Sequence, residues 1–71
     1  MSTKYKITAK EGDKRIYKPT LQGHPWTDHE YYGLNCTVIQ SCAVYDVHQI
    51  HIDGMPENAV AWARGDELHH Y

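Results

Sequence analysis

The chain has no phenylalanine and no apolar stretch that approaches the roughly 18 residues of a membrane-spanning helix. Its start also lacks the apolar run of a secretory signal, so we expect a cytoplasmic protein without a membrane partner. Apolar surface comes instead from twelve Leu, Ile and Val residues, six Tyr and two Trp. Tyr and Trp also need polar contacts, so we expect some of these rings to stay partly exposed.

Cysteine is scarce, and the glycine-rich loops that bind phosphates are missing. Cys36 and Cys42 are the only cysteines and are expected to be free thiols. Either thiol with His48 and Asp46 is the only candidate set for nucleophilic catalysis, but nothing near them marks an oxyanion hole. The two thiols with His48 and His51 are zinc-type ligands, yet their spacing differs from that of structural zinc sites. The sequence therefore predicts no enzyme activity, no cofactor and no metal; a zinc-stabilised domain is the alternative.

Charge is divided along the chain, although the net charge is only −2. Six of the seven basic residues lie in the first eighteen positions, which carry +4 with Glu11 and Asp13 included. The remaining fifty-three residues carry −6. Such segregation acts on association and partner choice rather than on the fold. It indicates a protein that binds another macromolecule.

Residues 4 to 18 alternate apolar and basic side chains with the period of a strand. Gly12 and Asp13 fit a two-residue turn, which predicts a β-hairpin that pairs Ala9 with Ile16. One face of this hairpin is apolar and the other is basic. The candidate partner-binding residues on the basic face are Lys4, Lys6, Lys10, Arg15 and Tyr17.

Residues 27 to 33 predict a short helix, since Thr27 and Glu30 have the spacing of a capping box. Trp26 and Tyr31 fit the accompanying hydrophobic staple, and Gly33 suits the helix end. Aromatic and acidic residues crowd this segment in the manner of interface hot spots. The candidates for contact with a partner here are Trp26, Asp28 and Tyr32.

β-Branched residues from Leu34 to Ile52 predict two strands, about 35 to 40 and about 43 to 52. On the second, His48, Ile50 and Ile52 share a face with Val44 and Asp46. A helix over residues 34 to 45 also satisfies the spacing rules and stays open as an alternative. Pro56 followed by an alanine-rich run predicts a second short helix before Gly65. The same run alternates alanine with Val60, Trp62 and Arg64, which a strand would also allow. Residues 66 to 71 are expected to form a frayed tail.

These elements predict a single α+β domain over residues 1 to 71. Its small antiparallel sheet has three or four strands, opens with the N-terminal hairpin, and carries one or two short helices. The predicted function is a non-enzymatic protein-binding module. Small size, divided charge and many Tyr and Trp residues resemble the general style of host-directed inhibitors made by phages and mobile elements.

The resemblance implies that the protein occupies the surface of a host protein or protein complex, such as RNA polymerase, in the cytoplasm of the host cell. A small nucleic-acid-binding protein that uses the basic hairpin face is the alternative, because lysines and an aromatic ring can follow a phosphate backbone. Lysines on an edge strand can also serve only to prevent unwanted pairing. Oligomeric state does not follow from the sequence.

Overall fold

The computed structural model describes residues 9–70, and strands dominate this part of the chain. The strands are β1 (Lys14–Tyr17), β2 (Thr20–Leu21), β3 (His24–Pro25), β4 (Leu34–Cys42), β5 (Val47–Ile52), β6 (Val60–Arg64) and β7 (Leu68–His69). A single 3₁₀ turn, Gly65–Glu67, separates the last two strands.

Five strands form one curled antiparallel sheet in the order β6-β5-β4-β1-β7, and β2 and β3 form a separate small hairpin. The predicted α+β class is therefore wrong: residues 9–70 are nearly all β and contain no α-helix. No helix in this range is long and apolar enough to span a membrane.

The core lies on one face of the sheet. Along β5, residues alternate between partly exposed and fully buried, so that His48, Ile50 and Ile52 all point inward. Cys36 and Val38 face them from β4, and both are buried. The predicted shared face of His48, Ile50 and Ile52 is confirmed, because a period of two places alternate side chains on the same side of a strand.

The predicted second strand is too long at its start. Residues 43–46 form the turn between β4 and β5, and within it Val44 is exposed rather than inward-facing. Asp46 adopts a left-handed backbone conformation (φ 51°) at the end of this turn. The alternative helix over residues 34 to 45 is wrong, since Leu34–Cys42 is a nine-residue strand.

The predicted pairing of Ala9 with Ile16 is not formed, because other strands occupy both edges of β1. Ile16 pairs with Asn35 of β4 on one side and with His69 of β7 on the other.

 The turn itself is present in altered form: the Asp13 N–H donates to the Lys10 carbonyl at 3.0 Å, and the Gly12 N–H donates to the carbonyl of Val38 at 2.7 Å. Ala9 is buried in the core without belonging to a strand. The rest of the predicted first strand, residues 4 to 8, lies outside the described residues.

The predicted helix over residues 27 to 33 is also wrong. The segment is a series of tight turns, in which the N–H groups of His29, Tyr32 and Leu34 donate to the carbonyls three residues earlier. Gly33, in a left-handed conformation (φ 79°), then donates its N–H to the Tyr17 carbonyl at 2.6 Å and turns the chain into β4. A helix of little more than one turn has too few internal hydrogen bonds to compete with this tertiary contact.

The predicted helix before Gly65 is wrong as well, because residues 60–64 are strand β6. Alanine favours helices, but here alanine alternates with larger residues at the period of a strand. Ala59 and Ala63 are buried against the core, whereas Val60 and Trp62 are exposed. Burial of one strand face outweighs a helix preference that is worth only tenths of a kcal/mol per residue, about 0.7 at most for ordinary residues.

Residues 66–69, predicted as part of a frayed tail, are held in the 3₁₀ turn and in β7. After β6 the chain crosses in three residues, Gly65–Glu67, to β7 at the opposite edge of the sheet. Four residue steps reach at most about 14 Å. The edges of a flat five-stranded sheet would lie about 19 Å apart, at roughly 4.8 Å per strand spacing. The short connection therefore requires the sheet to curl.

Glu67 closes the curled sheet with its carboxylate. One oxygen, Oε1, accepts the Arg64 N–H at 2.9 Å. The other, Oε2, accepts the N–H and the hydroxyl of Thr20 at 2.7 and 3.0 Å. The Glu67 carbonyl accepts the Lys18 N–H at 2.8 Å. A side chain that is only 8% exposed thus joins the end of β6 to the start of β2.

Glu67→Ala should lower the free energy of unfolding by about 2–4 kcal/mol, because it leaves three partly buried donors of Arg64 and Thr20 without their acceptor. Denaturant unfolding monitored by tryptophan fluorescence measures this. Asp66→Ala is the matched control, since Asp66 is exposed and only bridges the exposed Arg64 at 3.3 Å. Its effect should stay within about 0.5 kcal/mol. Equal losses in the two variants would contradict the role given to Glu67.

Candidate functional site

The most distinctive surface is an aromatic loop, which we define as residues 20–33. It begins with the β2–β3 hairpin, whose turn residues Gln22 (φ 52°) and Gly23 (φ 84°) are both left-handed. Two consecutive left-handed residues are typical of the tight turns that join antiparallel strands. The Trp26 N–H then donates to the Pro19 carbonyl at 2.8 Å, which ties the loop back to its own base.

His29 organises the rings of this loop. The Trp26 ring meets the imidazole edge to face, with 4.6 Å between ring centroids. Tyr17 and Tyr31 each lie 5.6 Å from the same imidazole. The Nδ1 atom of His29 accepts the Tyr31 N–H at 3.0 Å, so the neutral imidazole carries its proton on Nε2. These contacts fix the orientation of Trp26 without covering it.

Trp26 remains 40% exposed, and Leu21 in the adjoining hairpin is 53% exposed. Asp28 and Glu30 are exposed beside them in sequence. Within residues 9–70, neither carboxylate lies within 4 Å of a basic side chain. Tyr32, the other candidate from the sequence, is half-buried. The aromatic loop therefore combines a fixed, accessible indole with carboxylates whose charge is not neutralised by an ion pair.

The basic residues predicted to form one face are dispersed in the described part of the chain. Lys4 and Lys6 lie outside it. Lys10 is exposed. Lys14 points to the open face of the sheet, where its ammonium donates to Thr37 Oγ1 at 2.6 Å and lies 3.5 Å from Asp53.

Arg15 and Tyr17 lie on the covered face of the sheet, because they alternate with Lys14 along β1. The Arg15 side chain is only 14% exposed and forms an ion pair with Asp13 at 3.0 Å. Tyr17 is buried among core residues. Burial raises the pKa of its phenol, and the charge of Glu67 raises it further. Tyr17 thus offers no ring for stacking on a ligand.

His48, the candidate catalytic histidine, is buried on the covered face of the sheet. His48 is fully buried, with Nδ1 2.8 Å from Ser41 Oγ and Nε2 2.7 Å from Asp46 Oδ1. The neutral imidazole can donate from Nε2 to Asp46 and accept the Ser41 hydroxyl at Nδ1. A general base needs hydrogen-bond reach to a substrate proton. Since both ring nitrogens are occupied and solvent does not reach them, this network supports a structural role that links β4 to β5.

The proposed zinc ligands are likewise separated by the fold. Cys36 and Cys42 are free thiols near opposite ends of β4, as expected. His51 points to the open face of the sheet, with its Nε2 2.9 Å from the Pro56 carbonyl. In the described range no three His, Cys, Asp or Glu side chains form a group that could hold a metal ion.

The open face of the sheet is a feature that sequence reasoning missed. Trp62 is 53% exposed there, next to Val60 on the same strand. The open face was missed because this segment was predicted to be a helix. The alternation of alanine with Val60, Trp62 and Arg64 indicates an edge strand with an exposed outer face. No known family model matches the chain, and neither does any curated protein or solved structure.

Burial, together with the nearby Asp53 carboxylate, raises the pKa of the Cys36 thiol to about 11 from its ordinary 9.0. The folded state therefore favours the neutral thiol, and this contribution is fully present below pH 9. As the pH rises from about 9 to about 11, the unfolding free energy should fall by roughly 2–3 kcal/mol. Urea unfolding across this range measures the loss.

Cys36→Ala removes the thiol and keeps the surrounding charges, so it separates this ionisation from those of the lysines and tyrosines. The decrease between pH 9 and 11 should be smaller in the variant than in the natural protein. Identical pH profiles would contradict the assignment to Cys36.

Proposed function

We propose that this chain is a non-enzymatic protein-binding module that docks through its aromatic loop. The observation that supports the proposal is Trp26, an indole held in place by His29 yet 40% exposed. Tryptophan is enriched among the residues that dominate binding energy, because it contributes a large rigid area at little entropic cost. A ring that is already oriented loses still less freedom when a partner covers it.

The size of this contribution can be estimated. Covering the exposed two-fifths of the Trp26 residue would remove roughly 60–100 Å² from water, which is worth about 2 kcal/mol. Such an anchor changes affinity by about thirtyfold. Leu21 in the neighbouring hairpin extends the apolar area. The loop is thus able to supply the centre of an interface, with polar residues around it.

The charge of the aromatic loop indicates which kind of partner surface it would bind. Asp28 and Glu30 have no ion pair among the described residues, whereas Lys14, Arg15 and Arg64 each have a carboxylate within 4 Å. Asp28 and Glu30 therefore keep their full charge, whereas Asp53 and Asp13 balance the charges of Lys14 and Arg15. Complementary potentials guide association, so the partner surface is expected to be basic around an apolar pocket.

Basic surface patches are typical of proteins that bind nucleic acids. We therefore favour a host macromolecular machine such as RNA polymerase as the target, and a protein of the phage or mobile-element inhibitor type, acting in the cytoplasm of the host cell. Direct binding of nucleic acid is the second choice, since the ion pairs of Lys14 and Arg15 compete with phosphate.

The test compares variants of the aromatic loop in affinity capture from host extract, followed by affinity measurement with the purified partner. Trp26→Ala should weaken binding about thirtyfold, as estimated from its exposed area. Asp28→Lys should weaken it and reduce the dependence of the association rate on salt. Asp28→Lys should unfold at nearly the natural denaturant concentration, because Asp28 is exposed. Trp26→Ala also loses the ring contact with His29, so its binding is compared only where amide shifts of the five-stranded sheet confirm that the variant is folded.

Glu57→Lys is the matched control, because it makes the same charge change at an exposed residue in the turn between β5 and β6. It should bind like the natural protein. Unchanged affinity in Trp26→Ala would overturn the docking role of the loop. Capture of DNA or RNA alone, with affinity that falls steeply with salt, would favour the nucleic-acid alternative.

A further inference from the structure

Strand β6 has one edge that no described strand covers. It pairs only with β5 and ends the sheet order. Two hydrogen bonds show which of its backbone groups face β5: Ile52 N–H donates to the Ala59 carbonyl at 3.0 Å, and Gly65 N–H donates to the Asp46 carbonyl at 2.8 Å. Residues 59, 61, 63 and 65 therefore bond to β5. The backbone groups of Val60, Trp62 and Arg64 point away from it.

Both ends of this edge are capped. The Val60 N–H donates to the Asn58 carbonyl at 2.9 Å. The Arg64 N–H donates to Glu67 Oε1 at 2.9 Å. Among the groups that point outward, the Trp62 N–H, the Trp62 carbonyl and the Val60 carbonyl are left without a partner in the described residues. The open part of the edge is thus short and centred on Trp62.

The side chains beside this edge differ between its two faces. Val60, Trp62 and Arg64 lie on the open face and are exposed, whereas Ala61 and Ala63 face the core side. The Arg64 guanidinium uses Nε for Asp66 and Nη2 for Thr20. Since a guanidinium has five N–H donors, donors remain for another carboxylate. No lysine or proline protects the centre of the strand, although natural edges commonly carry such residues.

We propose that the Trp62 edge of β6 is a strand-addition site, and that its occupant is an extended peptide segment of another protein. The peptide places an apolar residue opposite Trp62 and an acidic residue opposite Arg64, two positions before the apolar one in an antiparallel arrangement. It gains two hydrogen bonds with the Trp62 backbone and one with the Val60 carbonyl. The acidic residue complements the Arg64 charge.

A second copy of this chain fits the edge less well. Antiparallel pairing about Trp62 would set Val60 of one copy opposite Arg64 of the other, where both N–H groups are already donated internally. Such a dimer keeps only the two Trp62 bonds. A peptide with free amides forms three, so a peptide fits this edge better than a second copy of the chain does.

The test titrates the full chain with the synthetic peptide acetyl-TETVTVT-amide and follows backbone amides by NMR. Its central valine faces Trp62, and its glutamate faces Arg64. We expect saturable shifts at Trp62 with a Kd of about 1 mM. Hydrogen exchange of the Trp62 amide should slow at saturating peptide. Replacing the peptide glutamate with lysine should weaken binding several-fold.

Two variants distinguish the contribution of the Trp62 backbone to peptide binding from that of its side chain. Trp62→Ala keeps the outward N–H and loses the indole. Trp62→Pro also loses the N–H but none of the bonds to β5, since the Trp62 backbone faces outward. Trp62→Pro should therefore bind the peptide several-fold more weakly than Trp62→Ala, while amide shifts elsewhere in the sheet confirm folding. Trp26→Ala should bind it normally, which distinguishes this site from the aromatic loop.

Three outcomes would overturn the proposal. Equal affinity of Trp62→Pro and Trp62→Ala would show that the backbone edge does not bind the peptide. Slow exchange of the Trp62 amide without peptide would show that the edge is already covered. Shifts at Trp62 that depend on protein concentration alone would assign the edge to a second copy of the chain.

Discussion

The closure of the sheet by Glu67 is the interaction on which the rest of the structure depends. Three residues join strands at opposite edges, and a buried carboxylate bonds the end of β6 to the start of β2. In so small a domain the hydrophobic core alone contributes little net stability, so a buried acceptor with three donors is a large share of the total. The short crossover sets the curvature that separates a covered sheet face from an open one, and the Glu67 carboxylate bonds the elements that this curvature brings together.

This curvature also places the potentially reactive side chains on the covered face and leaves the two tryptophans exposed. The groups that could have been reactive, the His48 imidazole and the Cys36 thiol, lie on the covered face, where hydrogen bonds and burial keep them away from solvent. The two tryptophans lie outside it, Trp26 on the aromatic loop and Trp62 on the edge strand. The two exposed tryptophans therefore belong to different elements of the fold, and each is accessible to a partner.

The sequence predicted a strand correctly where its alternating pattern agreed with the tertiary pairing. The shared face of His48, Ile50 and Ile52 on β5 followed from this alternation. The prediction was wrong for β6, because the helix preference of alanine was given more weight than the alternation of alanine with larger residues. It also failed for β1, since local turn residues favoured pairing with the preceding segment, whereas pairing with β4 and β7 involves residues far away in sequence. The aromatic loop was found as a candidate, but its form as tight turns was not.

The sequence by itself determined the segregation of charge, the strand periodicity of residues 47 to 52 and the abundance of tyrosine and tryptophan, because these are properties of residue order alone. Only the tertiary structure decided which rings are exposed, which cations are neutralised and which strand forms the edge. Tyr17 and Trp26 illustrate the difference: both were candidate contact residues, but one lies in the core and the other at the surface. The physical reason is that burial and ion pairing depend on distances between residues remote in sequence, and those distances exist only after the short crossover has curled the sheet.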